Sequence, residues 1–174
     1  YDGSVAQAVT LATYGNLTLS GAGIKTFAAN TTTVTGNLIF NSTTLSAPKS
    51  SPFATLSLGG NLTYMGTVIP PADSNSITLI TTGTGTQTIT GNGNLSRWFR
   101  LQTTSSGNIV DLTESGGSTN LSVGNASGGG VNLTAGSQLK LNGNTLTFFY
   151  GNNTIQGTGT INCTSAANII INKN

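Results

Sequence analysis

Slightly more than half of the 174 residues of this chain are Gly, Thr, Asn or Ser, and only six Lys or Arg and four Asp or Glu are present. An ordinary globular domain is about one quarter charged. The absence of His excludes His-dependent catalytic triads and His-based metal sites, and four carboxylates leave little for acid–base catalysis. The formal charge of +2 comes from dispersed cations, so we expect no nucleic-acid partner.

Apolar and polar residues alternate in short stretches along the chain. The alternating pairs are, in chain order, Leu17 and Leu19, Leu56 and Leu58, Leu121 and Val123, Val131 and Leu133, Leu139 and Leu141, and Leu146 and Phe148. A period of two predicts strands with one buried face. The apolar stretches are too short for a membrane-spanning helix, and Gly and Asn turns between them leave no room for crossover helices. The sequence therefore predicts an all-β fold.

A Gly-Asn-Leu triplet recurs at residues 15–17, 36–38 and 60–62, and more loosely at 93–95. A hairpin sandwich or barrel and a parallel solenoid both fit many short strands. The first two separations, 21 and 24 residues, equal three strand units and favour the solenoid. We predict a right-handed parallel β-helix with three short strands per coil, and roughly eight coils at about 22 residues each.

The Asn residues of these triplets, Asn16, Asn37, Asn61 and Asn94, are predicted to mark coil corners. Gly and Asn reach a left-handed backbone at the least cost. Stacked corners would also place the Asn side chains in a ladder, each donating to the next coil. A second pattern, Gly-x-x-x-[Gln/Lys], places Gln7, Lys25 and Gln87 in the same register.

Two Pro-containing segments, near 47–53 and 69–76, are predicted loop excursions because Pro cannot donate ladder hydrogen bonds. The whole of 1–174 is interpreted as a single β-solenoid segment of a larger chain. Open sheet edges at both ends invite flanking repeats of the same chain or end-to-end self-association. Cys163 alternates with Ile161 and is predicted to be a buried thiol.

Several stretches carry a family resemblance. They are 14–21 (Tyr-Gly-Asn-Leu-Thr-Leu-Ser-Gly), 25–27, 33–38, 85–91 and 139–147. These resemble the strand-rich repeats of very large secreted surface proteins of Bacteroidota. The resemblance implies export, by the type IX secretion route, display on the outer cell surface or release, and an adhesive or scaffolding role. No sorting domain is recognisable, and the resemblance brings no catalytic residue.

Arg97, Trp98 and Arg100 form the candidate ligand-binding cluster. If this segment is a strand, its buried face is shared by Leu95, Phe99 and Leu101, and Trp98 lies beside Arg100 on the outside. An exposed Trp beside Arg could stack on a sugar ring or anchor a partner protein. The alternative is that the pair only covers a neighbouring loop or coil edge.

Two further patterns suggest other function classes. Thr84, Thr86, Thr88 and Thr90 share one strand face, as in ice-binding solenoids, although Thr-x-Thr is not found in three consecutive units. Asp111 and Glu114 lie three residues apart, but a glycosidase or calcium site needs more clustered carboxylates. We therefore expect a non-enzymatic extracellular structural or adhesive segment with no cofactor or metal, whose partner is a surface polysaccharide or another protein. A glycan- or ice-binding module, or a filament subunit, remains the alternative.

Overall fold

The computed structural model describes residues 1–49, 51–68, 77–124, 128–150, 152–164 and 166–172, and their side chains except those of 92–97 and 114–119. Over these ranges the chain forms nineteen β-strands and no helix. The described residues accordingly include no helix that is long and apolar enough to cross a membrane. The prediction of an all-β fold is confirmed.

The strands are short, apart from two that each pass through two faces of the fold. In chain order they are β1 (Gln7–Val9), β2 (Thr13–Tyr14), β3 (Leu17–Ser20), β4 (Ile24–Phe27), β5 (Asn30–Val34), β6 (Leu38–Asn41), β7 (Thr44–Ser46), β8 (Ala54–Leu58), β9 (Leu62–Met65), β10 (Ile77–Thr81), β11 (Thr86–Trp98), β12 (Arg100–Thr103), β13 (Ile109–Val123), β14 (Gly130–Leu133), β15 (Gln138–Lys140), β16 (Thr145–Phe149), β17 (Thr154–Gly157), β18 (Thr160–Asn162) and β19 (Asn168–Asn172).

These strands stack into three faces. Face 1 contains β2, β5, β8, β10, β12, β14 and β17. Face 2 contains β3, β6, β9, the first halves of β11 and β13, β15 and β18. Face 3 contains β1, β4 and β7, and later in the chain the second halves of β11 and β13, β16 and β19.

Every strand pairing in the described ranges is parallel. The predicted parallel β-solenoid with three strands per coil is therefore confirmed, and the hairpin alternative is wrong. The seven strands described on face 1 are separated by six turns of the chain, against the roughly eight coils expected. Some coils are longer than the assumed average of about 22 residues. An example is the coil between Leu101 and its partner in the next coil, Val131.

The core is a set of apolar columns that run along the solenoid axis. One column on face 2 places five residues in register: Leu17, Leu38, Leu62, Ile89 and Leu112. All five are buried. Each such side chain contributes about 1.5–3 kcal/mol of hydrophobic stabilisation. The alternation read from the sequence thus identifies the inward-facing residues.

The two predicted excursions have different outcomes. Residues 47–49 and 51–53 lie between β7 and β8 and belong to no strand. The excursion predicted near 69–76 lies outside the described residues. The first excursion therefore coincides with a connection between face 3 and face 1.

Cys163 is exposed, and the prediction of a buried thiol is wrong. It follows the end of β18, in the last coil that the structure describes. Within the described residues, the strands of that coil pair with the preceding coil only. Strand alternation alone therefore does not bury their side chains.

An aromatic cluster joins three successive coils. The Phe40 ring lies edge-on to Tyr64, with 5.2 Å between centroids, and stacks on Trp98 at 6.3 Å. Burial raises the pKa of the Tyr64 hydroxyl, and the neighbouring Trp98 side chain offsets part of that rise. The folded protein therefore keeps Tyr64 protonated at a pH where the unfolded chain releases this proton.

We predict that alkaline pH destabilises the protein through Tyr64. In the unfolded chain the Tyr64 hydroxyl has a pKa of 10.0, below that of the folded state. The free energy of unfolding should therefore fall as the pH rises above about 10, with a contribution from Tyr64 of up to about 1.4 kcal/mol per pH unit. Below that pH the contribution is constant, because both states are protonated.

Urea unfolding followed by Trp98 fluorescence, at pH 8, 10 and 11, measures this slope for the natural chain and for Tyr64→Phe. The variant keeps the aromatic ring and lacks the proton, and the other tyrosines contribute equally to both proteins. The slope should be shallower in the variant. Equal slopes in the natural chain and in Tyr64→Phe would contradict the prediction that Tyr64 causes the loss of stability at alkaline pH.

Candidate functional site

A hydrogen-bonded ladder of Asn side chains runs along the corner between face 1 and face 2. The Asn37 backbone N–H donates to Asn16 Oδ1 at 2.8 Å, and the Asn61 N–H donates to Asn37 Oδ1 at 2.9 Å. The Thr88 N–H then donates to Asn61 Oδ1 at 2.8 Å. The side chains accept from the next coil, which reverses the donor role expected from the sequence. The ladder supplies acceptors for backbone amides near the starts of face 2 strands, since Asn37 and Asn61 directly precede β6 and β9 and Thr88 lies near the start of β11.

The left-handed backbone expected at these corners is absent from Asn16, Asn37 and Asn61. Positive φ values occur instead at other asparagines, including Asn30 (93°) and Asn142 (47°). Asn recurs in the Gly-Asn-Leu triplet because its side-chain carbonyl reaches the next coil. This is a hydrogen-bonding reason and not a conformational one.

The ladder does not continue from Asn61 to Asn94. The residue whose backbone N–H donates to Asn61 Oδ1 is Thr88. The backbone of Asn94 pairs with Asn120 in the second half of β11, which belongs to face 3. The Asn94 side chain lies outside the described residues. A second interaction of the same type occurs beside it, where the Thr145 N–H donates to Asn120 Oδ1 at 3.1 Å.

A buried polar column continues the same corner into the later coils. Gln87 Nε2 donates to the carbonyl oxygens of Leu58 and Gly60, at 3.0 and 2.6 Å. Asn108 Nδ2 donates to Gln87 Oε1 at 2.8 Å, and Thr81 Oγ1 donates to Asn108 Oδ1 at 2.7 Å. The side-chain amides of Gln87 and Asn108 thus give hydrogen bonds to backbone carbonyl groups at corners that contain more residues. Buried polar groups are nearly always paired in this way. Their hydrogen bonds assign them a structural role.

The Gly-x-x-x-[Gln/Lys] pattern closes a turn where its last residue is Gln, whereas Lys25 contacts a glycine of the neighbouring coil. The Gly3 N–H donates to Gln7 Oε1 at 3.1 Å, and the Gly83 N–H donates to Gln87 Oε1 at 2.8 Å. Lys25 is fully buried and its Nζ donates to the Gly3 carbonyl at 2.8 Å. Gln7 pairs with Lys25 on face 3, whereas Gln87 begins a face 2 strand, so the pattern marks a type of turn and not a single register.

The prediction that Trp98 is exposed is wrong. Trp98 is 2% exposed and packs in the core against Phe40. β11 ends at Trp98, the chain bends at Phe99, and β12 restarts the alternation at Arg100 with Leu101 buried. Before the bend, β11 shifts register against β13 between Leu95 and Trp98, which places Trp98 opposite the buried Val123. These two irregularities turn Trp98 inward. The predicted exposed pair of Trp98 and Arg100 does not exist.

A different aromatic and cationic group lies at this bend. The half-exposed rings of Phe53 and Phe99 are 4.7 Å apart, and the Arg100 guanidinium lies 5.4 Å from the centre of the Phe99 ring. Such a cation–π contact contributes about 0.5–1 kcal/mol at an exposed site. The side chain of Arg97 lies outside the described residues. Sequence reasoning missed this group because Phe53 and Phe99 are distant in the chain.

The acidic residues form no cluster in the part of the chain that the structure describes. Asp111 Oδ1 accepts hydrogen bonds from Thr113 Oγ1, at 3.1 Å, and from Asn142 Nδ2, at 2.6 Å. The side chain of Glu114 and all of Asp73 lie outside the described residues. Within those residues no three His, Cys, Asp or Glu side chains are grouped so as to hold a metal ion.

Outward-facing hydroxyl groups form columns across successive coils. On face 1, Thr55 pairs in register with Thr31 on one side and Thr78 on the other. On face 2, Thr90 pairs in the same way with Thr63 and Thr113. All six side chains are exposed or half-exposed. Neighbours in a column are separated by the strand spacing of about 4.8 Å.

Within β11 and the turn before it, Thr84 and Thr86 are exposed, and Thr88 and Thr90 are half-exposed. Thr86, Thr88 and Thr90 therefore share the outer face of β11, whereas Thr84 precedes the strand and is not part of that face. The longer columns on faces 1 and 2 were not visible in the sequence, because they depend on the register between coils of unequal length.

No family model, curated protein or solved structure matches this chain.

We predict that Asn37→Ala destabilises the fold more than Asn37→Asp does. Alanine removes the acceptor of the Asn61 N–H, whereas aspartate keeps an oxygen in the same place. An unpaired amide costs about 1–3 kcal/mol, and partial exposure places the alanine variant near the lower end. Urea unfolding monitored by Trp98 fluorescence measures the difference. If both substitutions destabilise equally, the ladder is not the reason for Asn at this corner.

Proposed function

We propose that this chain is a non-enzymatic, extracellular segment of a bacterial surface protein, with a structural and adhesive role. The observation that carries the proposal is the set of in-register hydroxyl columns on faces 1 and 2, with Thr31, Thr55 and Thr78 as the clearest example. The similarity of the repeats to those of Bacteroidota surface proteins supports a location outside the cell.

The columns suit an extended polymeric partner. Parallel stacking repeats the same side chain about every 4.8 Å, and the β-branched Thr has restricted χ1 rotamers. A regular row of hydroxyl and methyl groups can contact a regular polymer such as a polysaccharide at several points. Each contact is weak, and repetition along a longer chain multiplies them through avidity.

Polar groups among the described residues, both buried and half-exposed, also fit a structural role. Gln87 and Asn108 are engaged in closing corners, and Asp111 is held by Thr113 and Asn142. These hydrogen bonds assign the three side chains to holding the fold. We therefore assign the contacts with a partner to the outer columns.

Retention on insoluble polysaccharides such as cellulose, chitin and peptidoglycan tests the adhesive role. We expect a single copy to bind weakly and two copies joined by a flexible Gly/Ser linker to bind about a hundredfold more tightly. The triple variant Thr31→Val, Thr55→Val and Thr78→Val keeps the side-chain shape and removes three hydroxyl groups. At about 0.5–1.5 kcal/mol for each lost hydrogen bond, it should weaken binding by at least about tenfold.

The control is a second triple variant, with Thr26→Val, Thr44→Val and Thr147→Val on face 3. These residues are exposed or half-exposed, and no two of them pair in register. The control should bind like the natural chain. Absence of binding by the two-copy protein to every polymer, or equal losses in both triple variants, would argue against the proposal.

Ice binding is a second candidate, and it is favoured by the Thr column on three consecutive coils of face 1. A flat, uncharged array of this kind can order water. The array is short, since Arg100 replaces Thr in the next coil. Thermal hysteresis that disappears in Thr55→Tyr would support this candidate, and a natural chain without hysteresis would reject it.

A further inference from the structure

Face 1 carries an uncompensated positive charge. Its described strands contain one charged side chain, that of Arg100, and no Asp or Glu. The carboxylates whose side chains the structure describes lie elsewhere. Asp2 precedes β1, and Asp111 lies in the face 2 half of β13, where Thr113 and Asn142 donate to it. The charge of Arg100 is therefore offered to a partner from outside the chain.

The guanidinium of Arg100 has free hydrogen-bond donors. It lies 5.4 Å from the centre of the Phe99 ring, and it makes no hydrogen bond and no ion pair with any residue that the structure describes. A guanidinium presents its N–H groups as a planar fork that matches the two oxygens of a carboxylate. Contact with the ring restricts the side chain in advance, so less conformational freedom is lost when an anion binds.

Arg100 continues the Thr column of face 1. It pairs in register with Thr78, which pairs with Thr55 in the coil before. On its other side the register partner is Gly130, which adds no side chain to the row. A polymer that lies along this column therefore meets hydroxyl groups and then a cation, in steps of about 4.8 Å.

Two aromatic rings add apolar area beside this cation. Phe53 directly precedes β8 and Phe99 directly precedes β12, and these strands flank β10 on face 1. The rings meet across the intervening coil, with 4.7 Å between their centroids, and both are half-exposed. The face of an aromatic ring packs well against C–H groups, such as those on one side of a sugar ring. Apolar area, a cation and a row of hydroxyls thus lie together.

We infer that face 1 binds a polysaccharide that contains uronic acid residues. The inference rests on the proposed adhesive function and names the chemical class of the polymer. One sugar ring packs on Phe53 and Phe99, and its carboxylate accepts hydrogen bonds from the Arg100 guanidinium. Hydroxyl groups of the neighbouring sugars contact Thr78 and Thr55. The uncompensated charge makes the face selective for acidic over neutral polymers.

Frontal affinity chromatography, which detects weak binding, tests this selectivity. The columns carry alginate, which is a polyuronate, or alginate whose carboxyl groups have been converted to neutral esters, both in calcium-free buffer. We expect the natural chain to bind alginate at least about fivefold more tightly than the ester, as for one ion pair at a partly exposed site. Added NaCl should weaken binding to alginate and leave binding to the ester unchanged.

Substitutions assign the selectivity to Arg100. Arg100→Gln should abolish the preference for alginate and leave the affinity for the ester unchanged. The matched control is Lys140→Gln, which removes the same charge from a half-exposed side chain on face 2 and should bind like the natural chain. Phe53→Leu should weaken binding to alginate and to the ester alike, because packing on the ring does not depend on charge. Unchanged Trp98 fluorescence verifies that every variant is folded.

The outcomes separate this inference from the proposed function. Equal affinity of the natural chain for alginate and its ester, or equal losses in Arg100→Gln and Lys140→Gln, would overturn the inference. Tighter binding to dextran sulfate than to alginate would also overturn it, since the anion would then be a sulfate. In each of these cases the adhesive function stands if the chain is retained on a neutral polymer. Absence of retention on every polymer would reject both.

Discussion

Backbone hydrogen bonding between successive coils is the constraint on which the rest of this structure depends. Each strand of a parallel stack must find its partner one coil away, whatever the length of the connecting corners. The paired residues Leu17, Leu38, Leu62 and Ile89 are separated by unequal numbers of residues, yet they form one column. The corners absorb the differences, and the Asn ladder and the Gln87–Asn108 column provide partners for backbone groups that the strands leave unsatisfied there.

The sequence was sufficient to predict the class of fold and its parallel stacking. Alternation around Leu17 and Leu19 identified inward-facing residues, and the recurrence of Gly-Asn-Leu indicated coils. Local alternation failed at Trp98, because β11 shifts register against β13 between Leu95 and Trp98 and the chain bends at Phe99, and no Gly or Pro marks either irregularity. It failed at Cys163 because burial in the last coil depends on a layer above it. The Thr columns and the contact of Phe53 with Phe99 escaped prediction since both depend on the register between coils.

The distribution of polar groups connects this architecture to its proposed role. Polar side chains that face inward are engaged by backbone groups at corners, as for Gln87 and Lys25. Those that face outward are mostly uncharged and repeat at the strand spacing. The surface of such a protein is large and regular, and each of its contacts with a partner is individually weak. Such a surface favours adhesion through many repeated weak contacts.

The aromatic cluster of Phe40, Tyr64 and Trp98 has a consequence for cooperativity. Its members lie on β6, β9 and β11, so three coils share one set of ring contacts. In a solenoid each coil is otherwise coupled only to its neighbours, and fraying begins at the termini. The coils that contain this cluster should therefore exchange their amide hydrogens more slowly than the coils that lack it. The fluorescence of the single tryptophan reports the melting of the cluster-containing coils and is blind to the unravelling of the outermost coils.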